Sequence, residues 1–258
     1  MGVLNVTPDS FSDGGIHLDP DDAICAGLAM AKAGADIIDV GGESTRPGAQ
    51  PTSAAEEQSR VLPVVRALVA AGVLVSIDTR HAVTMAAALD AGAAIVNDVT
   101  ALGYDSAAAP LVSARACPVV LMHMRGDFAT MYDRAIYTDV VREVRDELAA
   151  RIAACEASGI RRANIAVDPG IGFAKTAEHS AAILRGLSGL RELGCPILLG
   201  VSRKSFIGAL AGEAHAARRL PGSLAAALFA VSRGATILRV HDVGETIQAL
   251  RVWQALTA

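Results

Sequence analysis

Short β-branched runs recur along the chain, separated by longer Ala- and Leu-rich stretches. This alternation is the pattern of parallel strands joined by crossover helices. Eight strands are predicted: Gly2–Asn5, Asp36–Val40, Leu74–Asp78, Ala94–Asn97, Pro118–Met122, Asn164–Asp168, Ile197–Gly200 and Thr236–Arg239. Helices are predicted between and after them, among them Asp21–Ala33, Ser53–Ala70, Tyr137–Ala157, Leu220–Arg233 and Val243–Leu256. Three helices should end in the same way, with Gly34, Gly92 and Gly234 where the chain leaves for the next strand, because Gly tolerates the left-handed conformation required there. Ser53 with Glu56, just after Thr52, resembles an N-terminal capping arrangement. No Pro- or Ser-rich linker divides the 258 residues, so residues 1–258 are expected to form one α/β domain. Eight repeats in this length, with no Gly-x-Gly-x-x-Gly turn after the first strand, favour a closed TIM (β/α)8 barrel over an open doubly wound sheet.

Composition narrows the environment. Hydrophobic residues make up 52% and the mean hydropathy is +0.39. The apolar runs, such as Ile37-Ile38-Asp39-Val40 and Leu224–Val231, are short, whereas a membrane-spanning helix needs ~20 residues. Much of the hydrophobicity is Ala. Met1-Gly2-Val3-Leu4 runs straight into Asn5, without the basic start and apolar core of a signal peptide, so a cytoplasmic protein is expected. A net charge of −4 with 3% aromatics leaves neither a basic footprint nor a stacking surface for nucleic acid. Cys25, Cys117, Cys155 and Cys195 are widely spaced and read as plain buried or half-buried thiols.

The chemistry is predicted at the strand ends. Nearly every apolar run stops at a polar residue: Asn5, Asp39 with Glu43 after it, Asp78, Asn97, His123, Asp168, Ser202 with Lys204, and Arg239 with His241. In a barrel these positions share one rim, where active sites form. An Asp after a strand also commonly caps a helix or a turn, and for Asp39, Asp105 and Asp127 that role stands level with a ligand role. Asp78 and Asp168 favour a ligand role, each following an apolar run directly. His123, between Met122 and Met124, reads more readily as a packing histidine. Arg46, Lys204, Arg239 and His241 supply anion-binding chemistry, and the Arg239-Val240-His241 spacing sets two cationic candidates on one side of an extended strand end. Thr7 to Pro20 and Gly41 to Thr52, rich in Gly, Pro, Ser and Asp, are the predicted covering loops.

The opening Met1-Gly2-Val3-Leu4-Asn5-Val6-Thr7-Pro8-Asp9-Ser10-Phe11-Ser12-Asp13-Gly14-Gly15 resembles that of dihydropteroate synthases. The resemblance continues in order through Asp39–Gly48, Ser76–Thr79, Ile95–Asp98, Leu121–Met124, Asp168–Phe173, Ser202–Ser205 and Arg239–Asp242. It implies condensation of 4-aminobenzoate with (7,8-dihydropterin-6-yl)methyl diphosphate, inhibition by sulfonamides, a Mg²⁺ ion and a homodimer packed through the later helices. By matching positions, it implies pterin contacts from Asp78, Asn97, Met122, Asp168 and Lys204, and Asn5 as metal ligand. Thr45, Arg46, Arg239, Val240 and His241 fall on the diphosphate side, and Phe11, Thr45, Pro47, Phe173, Lys204 and Ser205 around aminobenzoate. Asp78, Lys204, Arg239 and His241 are the implied catalytic set. Two departures stand out: Ala174 occupies a position often Gly in the family, and Pro221 is expected to interrupt its helical segment. A folate-binding methyltransferase domain and a catalytically silent pterin-binding paralogue are the alternatives. Arg46 and the Arg239–His241 run argue against the first, and the intact first two loops against the second.

Overall fold

The computed structural model describes residues 1–7, 20–44 and 51–257. Eight short parallel strands form the centre of the described residues: β1 Gly2–Asn5, β2 Ile38–Gly41, β3 Val75–Asp78, β4 Ile95–Asp98, β5 Val119–Met122, β6 Ile165–Asp168, β7 Leu198–Leu199 and β8 Ile237–Leu238. β1 to β6 pair in sequence order, and β7 pairs with β8. Two parallel bridges, Val167 with Ile197 and Gly2 with Val240, join these sheets into a ring. Backbone hydrogen bonds seal the last seam: the Val3 N–H donates to Val240 O at 2.9 Å, and the Val240 N–H to Met1 O at 3.0 Å. The fold is a TIM barrel.

All eight predicted strands exist, but most begin one or two residues later than their apolar runs, and β7 and β8 hold only two laddered residues each. Hydrophobicity marks burial, whereas a strand also needs paired backbone groups. The helices are α1 Pro20–Lys32, α2 Ala54–Ala70, α3 Ala82–Asp90, α4 Ala108–Arg115, α5 Val140–Ala157, α6 Ala177–Arg185, α7 Ser205–Ala211, α8 Leu220–Ser232 and α9 Val243–Thr257. Their apolar faces pack on the barrel's outer wall, where Ile38, Val65, Leu68, Met85, Leu148 and Ile183 are almost wholly buried. Gly34, Gly92 and Gly234 take φ values of +107°, +101° and +102°, the helix-ending conformation expected of them. Ser53 caps α2, its side chain accepting from the Glu56 N–H.

Three local expectations are corrected. α5 begins at Val140 rather than Tyr137, because Asp139 caps it and Glu143 folds back to accept the N–H groups of Thr138 and Asp139, both at 2.8 Å. Pro221 does not interrupt α8: it lies in the first turn, where a missing N–H costs nothing. Cys25 is exposed, unlike the buried Cys117, Cys155 and Cys195.

Candidate active site

Strand register explains why residues remote in sequence meet. Asn5, Gly41, Asp78 and Asn97 are successive partners across β1 to β4, forming one row at the C-terminal mouth. Gly41 leaves that row open: a Cβ there would stand 3.3 Å from the Asp78 Cβ. Two residues deeper on β2 lies Asp39, wholly buried and paired in register with Ser76.

Arg239, following β8, reaches across this floor. Its Nε donates to Asp39 Oδ2 at 2.7 Å and its Nη2 to Asp78 Oδ2 at 2.6 Å, while Asn97 Nδ2 donates to the same Asp39 oxygen at 2.9 Å. Burial alone would lower the Arg239 pKa, but the two carboxylates more than reverse that and keep the guanidinium charged. Burial raises the Asp78 carboxyl to about 7 against the opposing pull of Arg239. Among the described residues, Asp39 Oδ1 and Ser76 Oγ are buried without hydrogen-bond partners.

The second half of the site hangs on β6. Met122 is buried beside Asp168 as its register partner. Asp168 Oδ1 accepts the Gly170 N–H at 2.7 Å, and burial raises this carboxyl while Lys204 and that N–H oppose the rise. Asp168 Oδ2 has no hydrogen-bond partner among the described residues. Lys204 Nζ donates to Ile171 O and lies 4.9 Å from the centre of the Phe173 ring. Burial lowers the Lys204 pKa to about 8, with Asp168 resisting. Ser205 starts α7 and is exposed.

His241 turns its Nδ1 to Ser202 Oγ at 3.0 Å, and its backbone N–H points to the same hydroxyl at 3.2 Å. Desolvation against its neighbours, then Arg239 and Arg203, hold its pKa down at about 4, so the ring is neutral near pH 7 although part of it is exposed. Arg239 and His241 thus share the mouth but not a partner. Val240 between them is buried, and its backbone closes the barrel onto β1. Asn5 is half-buried, and its amide makes no hydrogen bond among the described residues. Phe11, Thr45, Arg46, Pro47 and most of both covering loops lie outside the described residues.

Asp105, level between two roles in the sequence, accepts the Ala82 and Ala107 N–H groups, Asp127 caps a turn, and His123 lies between Lys175 and Glu147. Asp39 is more central than its sequence suggested. Its signal was present, a carboxylate inside the run Ile37-Ile38-Asp39-Val40 with the same parity as Gly41. Lys175, buried behind the site, was missed altogether. A separate apolar cavity of about 160 Å³, lined by Met1, Ile37, Ile95, Pro118, Pro196 and Ile237 among others, lies at the opposite end of the barrel and offers no such chemistry.

The pterin binding enzyme family matches residues 1–241. Dihydropteroate synthase of Neisseria meningitidis serogroup B is 49% identical, over 99% of this chain and 92% of that protein. Among solved structures, Xanthomonas albilineans dihydropteroate synthase with 4-aminobenzoic acid superposes with a TM-score of 0.93 at 48% identity, covering 100% of this chain and 92% of that one. The Yersinia pestis enzyme in a sulfonamide complex gives 0.94 at 41% identity, covering 99% and 93%. The chain therefore belongs to the dihydropteroate synthases, within the family of pterin binding enzymes.

Proposed function

We propose that the barrel mouth transfers the (7,8-dihydropterin-6-yl)methyl group from its diphosphate to the amino nitrogen of 4-aminobenzoate, giving 7,8-dihydropteroate and pyrophosphate. The observation that carries this reading is the charged floor, in which one arginine holds Asp39 and Asp78 together beside Asp168 and Lys204. A pterin presents adjacent N–H donors along its amino-pyrimidinone edge. A carboxylate accepts such a pair in bidentate fashion, and Asp168 is the assigned acceptor, with Asn97, Met122 and Lys204 completing the contacts.

The reaction breaks the methylene C–O bond, whose electron pair leaves on pyrophosphate. The arylamine lone pair forms the new C–N bond, and the nitrogen then gives up a proton. An arylamine is already neutral, so leaving-group departure is the harder part. Positive charge spreading from the methylene into the ring is stabilised by Asp78, while Arg239, His241, Thr45 and Arg46 hold the diphosphate. His241, neutral near pH 7, donates a hydrogen bond without carrying full charge. Phe11, Pro47, Phe173 and Ser205 complete the aminobenzoate side.

Mg²⁺ fits one donor here. Among the described residues the Asn5 amide oxygen, a hard ligand, makes no hydrogen bond, and no group of three His, Cys, Asp or Glu side chains is placed to hold a metal ion. A Mg²⁺ held by Asn5, substrate phosphate oxygens and water would supply charge neutralisation to the diphosphate. The protein is further proposed to be a cytoplasmic homodimer. Exposed Leu210, Phe229, Val252 and Leu256 on α7, α8 and α9 support that packing, and no helix among the described residues is long and apolar enough to cross a membrane.

Pyrophosphate release tests the reading directly. Release should require dihydropterin diphosphate, 4-aminobenzoate and Mg²⁺ together, and should stop when a chelator removes the metal. A pterin-binding chain that released none under these conditions would be the silent paralogue instead.

A further inference from the structure

Behind the pterin-reading floor, outside the ring of strands, a second polar cluster is unused by the reaction. Its centre is Lys175, whose side chain is only 3% exposed. An ammonium has three protons to place, and this one has three acceptors. They are Phe173 O at 2.9 Å, His123 Nδ1 at 2.8 Å and His123 O at 3.3 Å. Accepting at Nδ1 fixes the His123 tautomer, so Nε2–H donates to Glu147 Oε2 at 2.9 Å. Glu147 is held in turn by the Arg125 guanidinium.

What this chain of contacts secures is the segment from Asp168 to Lys175. The segment is difficult to hold: Gly170, Gly172 and Ala174 all have positive φ, at +67°, +84° and +50°. It is also pressed against β5, since a Cβ on Gly170 would stand 2.0 Å from the His123 carbonyl oxygen. Three elements of the floor depend on it. The Gly170 N–H fixes Asp168, Ile171 O accepts from Lys204, and the Phe173 ring packs under the Lys204 ammonium. Phe173 and Lys175 are thus the two ends of a clasp, one on the ligand side and one on the buried side.

We infer that Lys175, through His123, is a positioning residue that locks the 169–174 loop and thereby sets Asp168 and Lys204 for pterin binding. The inference rests on the reading of Asp168 and Lys204 as the pterin floor. Burial lowers the Lys175 pKa to about 7, with Asp168 and Glu147 supporting the charged form and Lys204 and Arg125 opposing it. Such a lysine is costly to keep buried, which a purely packing role would not call for.

Lys175→Met, close in shape but without donors, should weaken binding of 6-hydroxymethylpterin, measured by calorimetry, by about tenfold. KM for the dihydropterin diphosphate should rise by a similar factor while kcat changes less, and amide exchange should accelerate in residues 170–174 alone. His123→Leu should reproduce the loss. His123→Asn, whose side-chain oxygen can replace Nδ1 as acceptor, should restore most of the affinity. This pair of His123 variants keeps the test decisive if Lys175→Met does not fold. Asp168→Asn separates the two levels: it should abolish pterin binding. If it does so while Lys175→Met, or failing that His123→Leu, binds like the wild type, the positioning role is overturned. If Asp168→Asn itself binds normally, the reading of the floor falls and takes the inference with it.

Discussion

Arg239 illustrates how a single side chain can hold two assignments. Its place at a strand end together with the family resemblance pointed it at a leaving group, and the structure bonds it to Asp39 and Asp78 as well. Removing it therefore strips the proposed leaving-group donor and also strands two buried carboxylates. Arg239→Ala should lose about 3 kcal/mol of transition-state stabilisation in steady-state turnover. It should also lose roughly 3 kcal/mol of folding stability in urea titration, part of which Asp78→Asn restores in the double variant. Asp78 carries a pH signature of its own. Its folded-state pKa of about 7 lies above the ordinary carboxyl value, so the folded protein holds this proton more tightly than the unfolded chain does. The associated stability is fully present below about pH 4 and is lost as pH rises through 7. Relative to Asp78→Asn, which cannot titrate there, the wild type should thus be more stable at pH 4 than at pH 8. An equal difference at both values would place Asp78 in a solvated setting.

At the scale of elements, the strands and the loops after them divide the work. Strands fix the row Asn5, Gly41, Asp78 and Asn97 by register, which leaves little to adjust. The loop after β6 is instead bent through left-handed conformations, and one of them falls on a residue with a side chain. Ala174 at φ +50° bears a steric cost of roughly 1 kcal/mol that Gly would escape. The departure noted in the sequence is thus a strained position. Ala174→Val, β-branched in the same conformation, should destabilise by about 2 kcal/mol or more, whereas Ala174→Gly should stay near or above wild-type stability. Thermal unfolding of the three proteins checks the order. Equal melting temperatures would mean that the loop has moved out of the left-handed region.

For the whole molecule, closure matters most. The sheet of β1 to β6 and the pair β7 and β8 become a ring only through the bridges at Val167 and Gly2, and closure brings Arg239 beside Asp39, 200 residues away in the chain. A mouth assembled in this way from every side should accept either the flat aminobenzoate or a mimic of it, one at a time. A sulfonamide should therefore compete with 4-aminobenzoate and raise its apparent KM without lowering kcat. Full turnover at sulfonamide concentrations that saturate a sensitive relative would overturn this prediction.

The eight-fold rhythm, the polar residue at each strand end and the glycines that stop helices were all legible in the sequence, because each follows from local backbone needs and from burial on both faces of a parallel sheet. The family and its reaction were legible too, since the motifs run through the chain in order. What the sequence left open concerns partners. Asp39 looked as much like a turn residue as like part of a site, and Lys175 looked like nothing in particular. Only tertiary structure could decide these, because a side chain's charge state and role depend on which groups closure of the ring brings within hydrogen-bond distance, and no local pattern encodes a contact between β2 and β8.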